Sequence, residues 1–147
     1  MPMYLEDFAV GQETRTPSRT VTEADVMAFA GLSGDYNPVH TDAEFAAATA
    51  FRQRIAHGAL GLAIVTGLGS RTGMLEGTAI AFLGIEDWKF AKPVFFGDTV
   101  HVRMSVTAVR PSSKPGSGVL TRRMELVNQR GEVVQSGRFV TLVRSRA

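Results

Sequence analysis

Residues 98–110, "DTVHVRMSVTAVR", carry apolar side chains on every second position. Val100, Val102, Met104 and Val106 face one way, and His101, Arg103, Ser105 and Thr107 the other. A period of two predicts a strand with one buried face. His101 falls on its polar side and is expected in solvent. "TAIAFLGIEDWKF", "GVLTRRMELVNQ" and "EVVQSGRFVTLVR" read as three more strands. "RPSSKPGSG" is a flexible connection, and "QRG" marks a hairpin turn.

The first half has a different period. Gln12 to Val21 predicts one strand. Thr22 resembles an N-cap, with Glu23 and Asp25 in the first turn, where the helix dipole favours acids. Val26, Phe29 and Ala30 give that helix an apolar face, and Gly31 and Gly34 end it. A second short helix is expected to start at Thr41 or Asp42 and to run through "AEFAAAT". "HGALGLAIVTGLGSRTG" is apolar almost all round, which predicts a helix buried on every side. Each of its glycines costs about 1 kcal/mol relative to Ala. Close approach of another backbone is the expected compensation.

This order is α+β: a strand, then helices, then a run of antiparallel strands. A long buried helix against one curled sheet is the hot-dog arrangement. Residues 1–147 are expected to form a single domain of that kind. The sheet has an edge strand to protect, so a homodimer or a dimer-based oligomer is expected.

The chain is 44% hydrophobic and 20% charged, outside the disordered class. It has no cysteine, which excludes disulfides and thiolate metal sites. Glu6 and Asp7 stand where a secretory signal would be basic. The longest apolar region, Gly58 to Ser70, has 13 residues, short of the roughly 20 that span a membrane. A soluble cytoplasmic protein with no membrane partner is expected. The net charge of +2 hides an asymmetry: −6 over residues 1–88 and +8 over residues 89–147. The arginines are spread singly without interleaved aromatics, which argues against nucleic acid. Most read as solvated strand faces.

Three kinds of site are set aside. The histidines His40, His57 and His101 have no i, i+4 spacing and no HExxH pattern, so no metal is expected. "GLGSRTG" has one residue too many for GxGxxG and follows a helix. Ser33, in "GLSG", lacks the spacing of a nucleophile elbow. What remains is "SGDYNPVHTD", with Asp35 and His40 five residues apart. Spacing alone leaves a plain turn open. However, Pro38 fixes its own φ and biases Asn37 to an extended conformation, so the link is stiff. Asn37 can also hold the loop by bonding its own backbone. "AHG" at Ala56–Gly58 opens the apolar helix, whose N-terminus offers free N–H groups and a positive dipole end. An acid, a base and a donor for a developing oxyanion are parts of one catalytic site.

"FAGLSGDYNPVHTDAEFA", Phe29 to Ala46, resembles the signature of the (R)-specific enoyl-CoA hydratases, the MaoC-like hydratase/dehydratase family. "RIAHGALGLAIVTGL" resembles the family's central helix, and "WKFAKPVFFGDTV" its following strand-turn-strand. The resemblance implies reversible hydration of a trans-2-enoyl-CoA to the (3R)-3-hydroxyacyl-CoA. Asp35 and His40 match the catalytic pair that holds the water. Gly58 matches the backbone N–H donor to the thioester carbonyl. Thr66 matches a residue lining the acyl pocket, and Asn37 and His57 count with it as substrate-binding, Ser33 and Asn37 mainly by shaping the loop. Which of Asp35 and His40 is the base stays open. Coenzyme A enters as part of the substrate, and no separate cofactor or metal is implied. Lys92, Lys114, Arg122 and Arg123 are candidates for its phosphates.

The alternatives are the same chemistry on an acyl-carrier-protein thioester, a hot-dog thioesterase, and a non-catalytic acyl-CoA-binding module. Residues 58–73 hold no Asp or Glu, which counts against the thioesterase.

Overall fold

The computed structural model describes all residues, 1–147. Two short strands, β1 (Glu13–Arg15) and β2 (Arg19–Thr20), precede helix α1 (Glu23–Ser33). Helices α2 (Pro38–Thr41), α3 (Ala43–Ala47) and α4 (Gly58–Ser70) follow. Four long strands complete the chain: β3 (Ala79–Phe90), β4 (Thr99–Pro111), β5 (Ser117–Val127) and β6 (Val133–Arg144). The sheet is antiparallel, in the order β1-β4-β5-β6-β3, with β2 also paired to β4. No helix is long and apolar enough to cross a membrane.

The expected strand over residues 12–21 is two strands with a break. Thr16 is the cause. Its N–H donates to Val102 O and its Oγ1 accepts from Val102 N–H, both at 2.9 Å. Pro17 follows, with no N–H to continue a ladder. The four long strands lie where the period of two predicts them. On β4, Val100, Val102, Met104 and Val106 are all buried. His101 corrects the solvent-exposed expectation: it is half-buried. Burial, then the charges of Arg15 and Arg103, hold its pKa below the usual imidazole value.

Helix α4 packs its Leu60, Ile64, Val65 and Leu68 into the main core, against Val102 and Met124 of the sheet. It is not buried on every side. Ala59, Ala63, Thr66 and Gly67 form an open face in the single chain. The compensation for Gly61 is also different from that expected. A side chain, not a backbone, approaches it: an added Cβ would collide with Gln135 Nε2. The same Nε2 donates to Gly58 O at 3.1 Å, and Gln135 Oε1 accepts from Trp88 Nε1 at 3.1 Å. Gln135 thus ties the first turn of α4 to β3 and β6.

Part of the basic C-terminal half is paired on strand faces. Arg138 meets Glu86 at 3.0 Å and Asp87 at 2.7 Å, and Arg103 meets Glu125 at 3.0 Å. These are solvated faces, as the spread of the arginines suggested. Pairs this exposed contribute about 0–1 kcal/mol each.

Candidate active site

Helix α1 sets up the site from its two ends. Thr22 caps it through a box: Thr22 Oγ1 accepts from Asp25 N–H at 3.1 Å, and Asp25 Oδ2 accepts from Thr22 N–H at 2.9 Å. At the other end Gly34 has φ +77°, a left-handed value that a side chain would resist. It turns the chain into the loop that bears Asp35. Ser33 Oγ donates to Phe29 O at 2.7 Å and accepts from Asp35 N–H at 3.1 Å. Asp35 Oδ1 accepts from Asn37 N–H at 3.1 Å.

His40 does not precede the next helix but lies in it. Asn37 is the N-cap of α2, accepting from Val39 N–H at 3.1 Å, and Pro38 takes the first helical position. Pro is favoured there because its missing N–H would have had no partner. The second expected helix is therefore two, with His40 in the first and a separate start at Asp42, whose Oδ1 caps α3. This shorter arrangement places His40 in the interior, at 8% exposure.

His57 stands at the N-cap position of α4, without a capping bond from its side chain, and is also buried. The His40 and His57 rings stack with centroids 3.8 Å apart, and Phe29 meets His57 edge-on at 5.0 Å. Two backbone carbonyls orient the rings. His40 Nδ1 donates to Ile55 O at 2.7 Å, and His57 Nε2 donates to Asp35 O at 2.8 Å. A carbonyl oxygen can only accept, so those nitrogens carry the protons. A neutral His40 then has a bare Nε2. His57 Nδ1 is likewise bare, and it is buried with no partner.

Ligand-type atoms of Asp35, His40 and His57 all lie within 4.8 Å of one another. Linear spacing argued against a histidine cluster, yet the fold builds one from two segments. Three such groups could hold a divalent cation with positions left open. Equally, a gap of that size admits one water hydrogen-bonded to both partners.

Gly58 supplies the remaining feature. It is the first residue of α4, where N–H groups have no intrahelical acceptor. An added Cβ would lie 3.0 Å from the Phe90 ring. Thr66 sits further along α4, on a cavity of about 600 Å³, and its Oγ1 donates to Ala63 O at 2.6 Å.

The phosphate candidates are not brought together. Lys92 pairs with Glu132. Arg123 is on the outer face of β5, 3.8 Å from Glu125. Lys114 lies in the β4–β5 connection, on a separate cavity beside Leu5 and Phe8. Arg122 is a correction: it points inward and is buried on the wall of the Thr66 cavity, where it cannot serve a surface phosphate. Sequence reasoning missed the orienting roles of Phe29 and Gln135, whose residue types carry no signal of them. Arg122 did carry one, since it interrupts the apolar register of β5.

The MaoC like domain family matches residues 7–128. An (R)-specific enoyl-CoA hydratase of Aeromonas caviae is 38% identical over 138 residues, 94% of this chain and 97% of the relative. A MaoC-like dehydratase from Rhodospirillum rubrum, solved by crystallography, superposes with a TM-score of 0.89 at 34% identity, covering 99% of each chain. A Mycobacterium tuberculosis protein with a double hot-dog fold shares the fold at a TM-score of 0.81 and 23% identity, over 98% of this chain and 44% of that one. The antiparallel sheet and its central helix are thus a hot-dog fold, and the chain belongs to the MaoC-like domain family.

Proposed function

We propose that this chain is a hydro-lyase that adds water to a trans-2-enoyl-CoA, giving the (3R)-3-hydroxyacyl-CoA, and catalyses the reverse dehydration. The observation that carries the reading is the convergence of Asp35, His40 and His57 within 4.8 Å beside the first turn of α4. The A. caviae relative, named an (R)-specific enoyl-CoA hydratase, supports the substrate and the stereochemistry.

The steps use the groups as they stand. The thioester carbonyl accepts from Gly58 N–H, at the positive end of the helix dipole. One water sits between Asp35 and His40. Its oxygen bonds to C3 while His40 Nε2 takes one of its protons and the Asp35 carboxylate accepts a hydrogen bond from the other. The π pair of C2=C3 moves towards the carbonyl oxygen, giving an enolate held by Gly58 N–H. The enolate collapses as C2 takes the proton from the His40 imidazolium, which restores the starting site. Ile55 O keeps the His40 ring oriented throughout. A positioned acid–base group supplies about 10²–10⁴-fold and an oxyanion donor about 10²–10³-fold. Asn37 and His57 hold the geometry, and Thr66 lines the acyl cavity.

The first residues of β3, an edge strand of the sheet, line the proposed acyl cavity. Ile80, Phe82, Leu83, Ile85 and Phe90 of that strand are 37% to 58% exposed. Such an edge is a template for pairing, and a second copy of the chain is the occupant proposed here. A monodisperse monomer in light scattering at micromolar concentration would overturn the pairing.

Crotonyl-CoA tests the reaction. Its enoyl absorbance should fall, and the product should be (3R)-3-hydroxybutyryl-CoA. Release of free CoA would instead make this a thioesterase, and tight binding without turnover a binding module.

A further inference from the structure

Strand β5 turns Leu120, Met124 and Leu126 into the core, and all three are fully buried. Arg122 occupies the same face between them, at 8% exposure. Its guanidinium has almost nothing to hold. Nη1 lies 3.8 Å from Met104 Sδ, and Nη2 donates to Thr141 Oγ1 at 3.5 Å, both at the long limit of a hydrogen bond. Nε is buried with no partner. No carboxylate comes within the 4.0 Å of an ion pair. Its sequence neighbour Arg123, by contrast, faces out and has Glu125. Burial pushes the Arg122 pKa down to about 10, so it keeps its charge at neutral pH. A buried cation without a counter-ion is strongly unfavourable. A strand that only needed to fill its core would carry another Leu or Met there.

The group does face something. Arg122 is on the wall of the 600 Å³ cavity, with Val65, Thr66, Met124, Phe139 and Thr141. That wall is mainly apolar. The cavity meets α4 from Val65 onward, seven residues and therefore about 10 Å along the helix from Gly58. It thus lies where the tail of an acyl chain would run if its thioester carbonyl were at Gly58 N–H. Glu76 also borders the cavity but is exposed and does not reach Arg122.

We propose that Arg122 is a specificity-determining residue that pairs with a carboxylate at the far end of the acyl chain. The preferred substrates are then 2-enoyl thioesters of dicarboxylic acids. The inference rests on the hydratase reading and narrows its substrate class. A bound carboxylate would give the guanidinium the two parallel hydrogen bonds its fork geometry favours. The apolar wall would take the methylenes between the two ends.

The test is a panel of 2-enoyl-CoA thioesters in pairs of equal length, one ending in methyl and the other in carboxylate. The wild-type protein should favour the carboxylate member at one or more lengths, by roughly 100-fold or more in kcat/KM. Arg122→Met, of similar length without charge, should lose that preference and leave the methyl series within a few-fold. Arg122→Lys keeps the charge without the fork and should retain part of the preference. Circular dichroism checks the fold of each, and the wild-type panel decides even if Arg122→Met does not fold. A wild-type preference for methyl ends at every length overturns the proposal, as does an equal loss on both series in a folded Arg122→Met. Failure to hydrate either series would sink the hydratase reading itself, and this inference with it.

Discussion

The two ends of α4 meet different chemistry by different means. At its N-terminus, buried rings are fixed by backbone carbonyls, His40 by Ile55 O at 2.7 Å and His57 by Asp35 O at 2.8 Å. Towards its C-terminus, Thr66 and Gly69 border an apolar cavity that holds one unpaired guanidinium. The first end is small and over-determined, and on the proposed mechanism every substrate would use it in the same way. The second is roomy and under-bonded, so it can discriminate among acyl tails. Substitutions at the first end should lower turnover by one factor for all substrates. Substitutions at the second should act according to what the tail is.

The largest effect is expected from Asp35 and His40. If they hold one water between them, neither completes the addition alone. Asp35→Asn and His40→Gln should each lower kcat by roughly 10²–10⁴-fold. The double variant should be little worse than the weaker single, because groups acting as a unit lose their contribution together. Independent groups would instead give losses that multiply. A loop with only a structural role would leave both singles active, or would lose activity through unfolding. Measuring kcat/KM for the four proteins, with circular dichroism on each, separates these outcomes.

The next effect is expected at Gly58, and the structure adds a control. Gly58→Pro removes the N–H at a position where Pro is tolerated, so turnover should fall more than about tenfold. A Cβ there meets the Phe90 ring at 3.0 Å, so crowding alone could lower the rate. Phe90 is 58% exposed and has room to move. Gly58→Ala has the same Cβ and keeps the N–H, and should stay within a few-fold of wild type. Equal losses in the two variants would assign the effect to crowding and remove the N–H from the mechanism.

The contrast between the ends also explains what the sequence makes legible. The loop that bears Asp35 and His40 needs a left-handed residue at Gly34, a cap at Asn37 and a fixed φ at Pro38, and few residue types meet such demands. They leave a recognisable string. The long strands were legible for a similar reason, since alternation on β4 follows from having one buried face. Less visible was anything set by tertiary contact. The break between β1 and β2 was not legible, because the bonds from Thr16 to Val102 that make it join residues far apart in the chain. The open face of α4 looked like core because small apolar residues read alike whether covered or not. Gln135 reaches Gly58 from β6 and cannot be told from any other strand glutamine. Arg122 stood in plain view within an apolar register, yet a charged residue in a basic half of the chain reads first as surface.

The smallest effect is expected at Thr66, and it is the most selective. Thr66 borders the cavity while its hydroxyl is spent on Ala63 O, so on the proposed reading its bulk, more than its polarity, would meet an acyl chain. Thr66→Leu would add side-chain volume to the wall without breaking the α4 backbone, since Leu is a good helix former. Long acyl chains would then lose space. One methylene of misfit in an apolar pocket changes kcat/KM by about 10-fold or more. A four-carbon enoyl chain is expected to stop short of this wall, so crotonyl-CoA should remain within about twofold of wild type. A fall that grows with chain length places Thr66 at the selecting end of the helix. An equal fall for every length, with the fold retained, would mean that the substitution disturbs Gly58 and its neighbours. The division of α4 into a reacting end and a selecting end would then fail.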